Sequence, residues 1–218
     1  MPSSVTPAVG ATASDAVGEI TDKRLLRGAR TRQAVLAHAV DMASLDNLEA
    51  LSFGRLATEV GLSKAGIQTL FRTKEALQLA TIEHARRMFI DFVIRPANAK
   101  SPGVERFREL IERWIAYAEQ PLFEGGCFQA ANLAVYDSRP GVLRDKLAQY
   151  QQEWVDVLSA ELACAVERGE IARLDTDLAA FQTDAVLRTA NTSMRLGDQS
   201  VEGKIRRVVE HFLVPADG

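Results

Sequence analysis

The segment SFGRLATEVGLSKAGIQTLFRTKE, residues 52–75, predicts two short helices joined by a tight turn. The first helix is followed by Gly61, and glycine ends helices well because it adopts left-handed backbone angles without strain. Ser63 can then cap the second helix through its hydroxyl group. The apolar positions expected to face inward are Leu56, Ala57, Val60, Ile67 and Leu70. This pattern indicates a helix-turn-helix.

The second of these helices presents donor-rich side chains on its outer face, namely Lys64, Gln68 and Thr69. Such side chains can donate hydrogen bonds to phosphates and to base edges in the major groove of DNA. A helical hairpin inside an all-helical core would have the same apolar pattern. These residues alone therefore leave that alternative open.

Residues 30–80 resemble the TetR family of bacterial repressors in several separate motifs that fall in the family's order and spacing. The motifs are Thr31-Arg32-Gln33-Ala34-Val35-Leu36, Leu56-Ala57, Val60-Gly61-Leu62-Ser63-Lys64, and Phe71 followed by Thr73-Lys74-Glu75-Ala76-Leu77. Two positions differ from the family pattern. Gln68 stands where an aromatic residue, usually tyrosine, commonly contacts the DNA backbone, and Leu70 stands where histidine or tyrosine is usual.

The resemblance implies an all-α fold with two parts joined by a shared helix. The N-terminal part would be a three-helix DNA-binding domain that contains the helix-turn-helix, and the larger C-terminal part would bind a ligand and form a dimer. The segment 124–144, which contains Asp137-Ser138-Arg139-Pro140-Gly141, also resembles the C-terminal domain of a subset of TetR-like regulators.

The distribution of charge agrees with this division. Residues 1–22 are small, polar and punctuated by proline, and we expect a disordered tail. Residues 23–80, the expected DNA-binding domain, contain nine Lys or Arg and five Asp or Glu residues, a net charge of +4, although the whole chain has −3. The basic charge therefore lies with the helix-turn-helix. Residues 81–218 form the expected ligand-binding and dimerisation domain.

The composition is that of an ordinary globular protein, with 47% hydrophobic and 25% charged residues. The two cysteines, Cys127 and Cys164, are too few for a disulfide framework or a four-cysteine zinc site. There is no uninterrupted run of about 18 apolar residues and no secretory signal at the N-terminus. We therefore expect a cytoplasmic protein.

Ten residues are candidates for DNA contacts. Hydroxyl groups at helix starts and flexible ammonium groups usually bind phosphates, which predicts such a role for Ser52, Ser63, Lys64 and Lys74. Base edges would be read by Gln68 and Thr69, together with Ala65 and Gly66, where small side chains permit a close approach. Arg55 could do either, and Arg32 belongs to a basic segment that we expect near phosphate.

The shared helix is predicted to begin after Thr73, which can cap it, and to end near Ile94, because Pro96 disfavours a helical residue before it. This helix would start in the DNA-binding domain and end beyond it. The rest of the chain also has helical periodicity, including a long helix that we expect to start near Pro140 and to end before Gly169.

An effector site is expected among bulky and polar side chains of the C-terminal helices. These candidates are Met88, Phe92, Phe107, Trp114, Phe128, Gln129, Asn132, Tyr150, Trp154, Phe181 and Arg188. Each bulky member could equally be an ordinary core residue, but buried polar members require hydrogen-bond partners that a ligand could supply. We therefore expect a small, largely apolar effector that releases the protein from DNA.

A two-fold homodimer is expected from the last two helices, which would form a four-helix bundle with those of a second copy. The final helix has a broad apolar stripe, consisting of Val201, Ile205, Val208, Val209 and Phe212. The alternative is that this stripe only packs on its own domain. A dimer would bind a near-palindromic double-stranded operator, because its two recognition helices lie about one DNA turn apart.

No catalytic motif and no cofactor or metal site is recognisable in the sequence. The three histidines have no histidine or cysteine three or four residues later that would complete a metal-binding pair. Cys127 could be a redox-sensing thiol, but no basic residue adjoins it to lower its pKa, and a buried apolar role is the alternative. We therefore expect a ligand-responsive transcriptional repressor and not an enzyme. The other hypothesis is a helical enzyme or small-molecule carrier with a basic N-terminal domain.

Overall fold

The computed structural model describes residues 13–120 and 122–216, and their side chains from residue 26 onward. Over these residues the chain consists of helices and connecting loops. The helices are α1 (Ala13–Asp46), α2 (Phe53–Val60), α3 (Lys64–Phe71), α4 (Lys74–Phe89), α5 (Arg95–Ala97), α6 (Val104–Glu119), α7 (Phe128–Tyr136), α8 (Val142–Glu167), α9 (Thr176–Arg195) and α10 (Val201–Phe212), with a 3₁₀ turn at Leu48–Ala50. The predicted all-α fold is confirmed. None of the helices in the described residues is long and apolar enough to cross a membrane.

The first helix is longer than the sequence predicted. Residues 1–12 of the expected disordered tail lie outside the described residues, but α1 already begins at Ala13 and thus includes the last part of that segment. A helix is possible here because no proline occurs between residues 13 and 46. Among the side chains described from residue 26 onward, the first buried one is Val35, more than two helical turns after Leu26.

The helix-turn-helix forms as its capping residues predict. The Ser52 hydroxyl accepts a hydrogen bond from the Arg55 amide at 3.2 Å, and the Ser63 hydroxyl accepts one from the Gly66 amide at 3.0 Å. Gly61 has a φ of 65° and ends α2 in the left-handed conformation. Among the expected inward residues, Leu56, Ala57 and Ile67 are buried, whereas Val60 and Leu70 are only half-buried. Phe71 supplies the remaining buried side chain of α3.

The shared helix does not stop before Pro96. A π-helical turn at Ile90–Ile94 follows α4, and the helix then continues through Pro96 to Ala97. Proline lacks an amide hydrogen and its ring collides with the carbonyl group four residues earlier in a regular α-helix. The wider π-helical turn places this carbonyl differently, so the helix can continue. The prediction of a helix that crosses the domain boundary is otherwise consistent with the structure.

The C-terminal helices pack in layers around one hydrophobic core that also includes α1 and α4. The long helix α8 packs on α4, α6, α7 and α9, and α10 packs on α9. The helix α8 begins at Val142, close to Pro140 as predicted, and Gly141 occupies the capping position with a φ of 146°, which favours glycine. The connection between α7 and α8 therefore includes Pro140.

The loop between α6 and α7 docks the C-terminal domain onto α1. The Gly125 amide donates a hydrogen bond to the Ser44 hydroxyl at 2.8 Å, and the Glu124 amide donates one to the Asp41 carboxylate at 3.3 Å. A β-carbon at Gly125 would overlap the carbonyl group of Ser44 and the amide nitrogen of Leu45. Only glycine permits this approach of two backbones.

We expect Gly125→Ala to lower the free energy of unfolding by about 1–3 kcal/mol, because the added methyl group forces the loop away from α1. Urea unfolding followed by circular dichroism measures this change. Gly203→Ala is the matched control, because a β-carbon at this helical position meets open space and should slightly stabilise α10. Equal effects of the two substitutions would contradict a close approach at Gly125.

Candidate DNA-binding surface and ligand cavity

The outer face of α3 exposes the side chains that the sequence assigned to DNA contacts. Lys64, Gln68 and Thr69 are exposed, as are Ala65 and Gly66. The Thr69 hydroxyl donates a hydrogen bond to the Ala65 carbonyl at 2.9 Å, and this leaves its lone pairs free to accept. The five residues therefore lie together on one short helix that a major groove can accommodate.

The other candidates surround this helix but already bind groups of the protein. The hydroxyl groups of Ser52 and Ser63 cap α2 and α3. The Arg55 guanidinium forms an ion pair with Asp46, and the Lys74 ammonium donates to the Glu49 carbonyl at 2.8 Å. The guanidinium of Arg32, the remaining candidate, lies over the ring of Phe71, 5.1 Å from the ring centre. These contacts hold the cations beside α3.

Arg72 is an exposed cation that the sequence reasoning did not select. It follows α3 directly and has a φ of 62° and a ψ of −54°. The Thr73 amide donates a hydrogen bond to the Phe71 carbonyl at 2.7 Å, so Arg72 is the central residue of a strained γ-turn. Nothing in the residue types around Arg72 predicts this conformation, because arginine rarely adopts a positive φ.

A cavity lies between α4, α6, α7, α8 and α9 in the C-terminal domain. It offers about 50 Å³ to the centres of water-sized molecules. An engineered cavity of about 150 Å³ holds benzene in another protein, so a ligand of that size would have to displace part of the lining here. Since Ile82 and Phe89 of α4 belong to this lining, such a displacement would act on the shared helix directly.

Part of the predicted effector set lines this cavity, namely Trp114, Phe128, Gln129, Tyr150, Trp154 and Arg188. The structure places the other candidates elsewhere. Phe107 is fully buried in the core, Met88 and Phe92 pack against the core on another side of the shared helix, and Phe181 is 58% exposed on α9. Asn132 is buried but its hydrogen bonds hold α7 to α1, so it needs no ligand.

The other lining residues were not among the residues predicted from the sequence, and they are Ile82, Ala85, Arg86, Phe89, Tyr117, Phe123, Cys127, Ala130, Gln151, Asp184, Leu187 and Asn191. For α4 a signal was available, because Ile82, Ala85 and Phe89 recur with helical spacing on one face. The apolar stripe of α4 is broad enough to include both the face with Ile82 and Phe89 and the face with Met88. Helical periodicity alone therefore does not show which face of α4 lines the cavity.

The buried part of the cavity is mainly aromatic. The ring of Phe89 makes edge-to-face contacts with Tyr117 and Trp154, at 5.4 and 5.3 Å between ring centres. The Tyr117 hydroxyl accepts a hydrogen bond from the Phe128 amide at 3.2 Å. Burial raises the pKa of the adjacent Cys127 thiol. This favours the protonated thiol at neutral pH and with it the apolar role of Cys127 over the redox-sensing role.

Two arginines and one aspartate are the charged residues of the cavity lining. Asp184 is buried, and its carboxylate accepts from Arg188 Nε at 3.0 Å and from Gln151 Nε2 at 2.7 Å. Burial raises the pKa of Asp184, and the charge of Arg188 opposes this shift. Arg86 Nη2 lies 3.0 Å from the Glu153 carboxylate. Arg86 Nε is buried and has no hydrogen-bond partner among the described residues.

The helix α7 connects the cavity with the DNA-binding domain. Its first residue, Phe128, lines the cavity, whereas Asn132 one turn later accepts a hydrogen bond from the Leu48 amide at 2.8 Å. The Asn132 amide group also donates to the carbonyls of Ala43 and Phe128, at 3.1 and 2.8 Å. Beyond it, the Tyr136 hydroxyl donates to the Glu49 carboxylate at 3.1 Å. One short helix therefore contacts both parts of the protein.

The apolar stripe of α10 is divided between two environments. Val201, Ile205 and Val209 are buried against their own domain, as the alternative interpretation expected. Val208 and Phe212 are half-buried and line a surface groove between α9 and α10, together with the exposed Phe181. We call this groove the α9–α10 surface. It also includes Gln182, Ala185, Val186, Lys204, Arg207 and His211.

The comparisons with known proteins agree with this architecture. Residues 103–211, half of the chain, match the family model described as "Tetracyclin repressor-like, C-terminal domain". No curated protein matches the chain significantly in sequence. Among solved structures, a TetR transcriptional regulator from Chloroflexus aurantiacus is 22% identical with a TM-score of 0.76, and the match covers 86% of this chain and 94% of that one.

Two further structural neighbours were solved with ligands. AibR, in complex with isovaleryl coenzyme A and operator DNA, is 19% identical with a TM-score of 0.69, and 84% of this chain and 98% of that chain are covered. A transcriptional regulator from Saccharomonospora viridis in complex with choline is 15% identical with a TM-score of 0.69, and 84% of this chain and 94% of that chain are covered. At these low sequence identities, the solved structures show that this chain has the same fold as its neighbours.

Proposed function

Since this chain belongs to the TetR family of ligand-responsive, DNA-binding transcriptional regulators, we propose that it is a repressor that binds a near-palindromic operator as a homodimer and leaves it when a small effector binds. The observation that carries this proposal is the position of α4. This helix begins one residue after the γ-turn at the end of α3, and it forms one wall of the cavity. The proposed role of the protein is regulatory and not catalytic.

The proposed DNA contacts follow from exposure and charge. Lys64 and the hydroxyl groups of Ser52 and Ser63 bind phosphates, and these contacts fix the position of α3 without reading sequence. Gln68 and Thr69 read base edges, and Ala65 and Gly66 allow the helix to approach them closely. Lys74, Arg55 and Arg32 each make one protein contact beside α3, and their remaining donors add contacts to phosphates. Arg55 could read a base edge instead.

Lys64→Ala is expected to weaken binding to operator and random DNA by a similar factor, about tenfold, because a phosphate contact carries no sequence information. For a dimer that loses one contact per subunit, the slope of log affinity against log salt should decrease by about 2. Fluorescence anisotropy at several salt concentrations measures both quantities. Gln68→Ala should instead reduce the ratio of operator to random affinity.

Lys100→Ala is the control for this experiment. Lys100 is an exposed lysine between α5 and α6, far along the shared helix from α3. Its removal should leave both affinities unchanged. If Lys64→Ala weakened binding to the operator but not to random DNA, the assignment of Lys64 to a phosphate would be wrong.

The proposed dimer uses the α9–α10 surface. An isolated subunit exposes 58% of Phe181 there, next to the half-buried Val208 and Phe212. Large apolar side chains grouped in this way are typical of a surface that a second copy covers. Two-fold pairing of α9 and α10 gives the expected four-helix bundle and sets the two α3 helices at opposite ends of one operator.

The proposed effector binds in the cavity and acts through α4. A coupling of about 1–3 kcal/mol between the cavity and the DNA-binding surface would change operator affinity roughly 5- to 150-fold. A gel shift on the DNA upstream of the gene, at two salt concentrations and with compounds that raise the melting temperature, tests this function. Saturable and selective binding that a stabilising compound reverses is the expected result. A compound that stabilises the protein by several degrees but leaves DNA affinity unchanged would contradict the coupling.

A further inference from the structure

Arg86 has a donor that the protein leaves unused. Among the described residues, its Nε is the single buried side-chain nitrogen or oxygen atom without a hydrogen-bond partner. Arg86 lines the cavity, and its side chain is only 13% exposed. A buried donor without an acceptor is unfavourable, and more so when it carries charge. A group that brings an acceptor would therefore complete the hydrogen bonding of this site.

The hydrogen bonding of the lining favours a negative group. The charged side chains of the lining are Arg86, Arg188 and Asp184, and together with Glu153, which pairs with Arg86, their charges sum to zero. Water screens both Arg188 and Glu153, whose side chains are 48% and 39% exposed. Asp184 is enclosed, yet Arg188 and Gln151 already occupy both of its oxygen atoms. A cationic ligand would have to compete with these two donors, whereas an anion finds Arg86 Nε free.

The fold itself does not decide the charge of a ligand. The solved neighbours include one complex with an acyl coenzyme A thioester and one with the cation choline. The preference must therefore come from the side chains of this chain. The apolar end, formed by buried residues such as Trp114, Phe128 and Trp154, suits an uncharged aromatic or branched aliphatic group.

We propose that the effector is a small organic acid whose carboxylate accepts a hydrogen bond from Arg86 Nε, and whose aromatic or branched aliphatic body lies against the aromatic end of the cavity. This inference rests on the proposed effector site. The half-buried side chains of Gln129 and Tyr150 also line the cavity, and their displacement would admit a body larger than the present cavity while Arg86 stays in place. The acid group thus orients the ligand and the body drives its burial.

The test compares compounds that share an apolar group and differ in their polar group. The apolar group, or body, is phenyl, cyclohexyl or isobutyl, and each one is tested as the carboxylate, the primary amide and the primary ammonium compound. Calorimetric titration of the full-length protein without DNA measures each affinity. For at least one body we expect the carboxylate to bind about tenfold more tightly than the amide, and the ammonium compound to bind more weakly than both.

Two substitutions assign this preference to the cavity. Arg86→Gln should reduce the advantage of the carboxylate to within about twofold, whereas Arg87→Gln, at an exposed neighbouring arginine, should retain it. Because Arg86 is largely enclosed, thermal unfolding checks that the variant folds. Asp184→Asn gives an independent result, since removal of its negative charge should strengthen carboxylate binding by about threefold.

Three outcomes would overturn the proposal. The first is that no carboxylate binds with a Kd below about 10 mM. The second is equal binding of carboxylate and amide, which would mean that solvent alone satisfies Arg86 Nε. The third is tightest binding of the ammonium compound, which would assign the site to cations held by Asp184. The proposed repressor function fails separately, if the ligand-free protein does not bind the upstream DNA selectively.

Discussion

Asn132→Leu is expected to lower the free energy of unfolding by about 2–5 kcal/mol, the largest loss we expect from one side chain. Leucine has a similar size, so the packing around it changes little. The loss comes from the buried Leu48 amide and the Ala43 carbonyl, which would both lose a hydrogen-bond partner. Urea unfolding followed by tryptophan fluorescence and by circular dichroism measures this change.

Asn98→Leu is the control for this substitution. Asn98 is exposed at the end of α5, and its replacement should change stability by no more than about 0.5 kcal/mol. A loss below about 1 kcal/mol for Asn132→Leu would mean that α1 and α7 are joined mainly by apolar packing. In that case the hydrogen bonds of Asn132 would not explain how α7 holds the DNA-binding domain.

Phe181→Glu is expected to convert the proposed dimer to a monomer, with a dimer Kd raised at least about 100-fold, because pairing would bury an unpaired carboxylate. The subunit itself should remain stable, since this side chain is 58% exposed in the isolated chain. Analytical ultracentrifugation measures the assembly state. Operator affinity should fall together with dimerisation, because a monomer contacts only one half-site.

Val142→Glu is the matched control, because Val142 is 50% exposed at the start of α8 and lies outside the α9–α10 surface. This variant should remain dimeric and should bind DNA normally. A dimeric Phe181→Glu protein would show that the subunits pair through another surface. A wild-type protein that is already monomeric at micromolar concentration would contradict the dimer itself.

The helix-turn-helix could be predicted because its determinants are local. Ser52 and Gly61 specify where α2 begins and ends, and Ser63 specifies where α3 begins. Each does so through hydrogen bonds to backbone groups close to it in sequence. The exposure of Lys64 and Gln68 then follows from the buried position of Ile67 between them. Nothing distant in the chain is needed.

The cavity could be predicted only in part, because its lining depends on how helices rotate against one another. Phe92 and Phe89 have equal apolar character, but the structure turns only Phe89 into the cavity. Phe181 has the size of a core residue, yet it lies on the surface of α9. The role of Asn132 depends on partners 84 and 89 residues away, and such pairing is not visible in a single sequence.

The length of α4 determines how far a small movement at the cavity would reach. The helix has 16 residues and is therefore about 24 Å long, with Phe89 at the cavity end and Lys74 beside α3. If the irregular π-helical turn at Ile90–Ile94 acts as the pivot of a rigid lever, a tilt of about 5° moves the Lys74 end by about 2 Å. In a symmetric dimer the two displacements add to about 4 Å, against a spacing of about 34 Å between half-sites. A ligand that rotates one helix by a few degrees can thus place two recognition helices out of phase with the DNA turn.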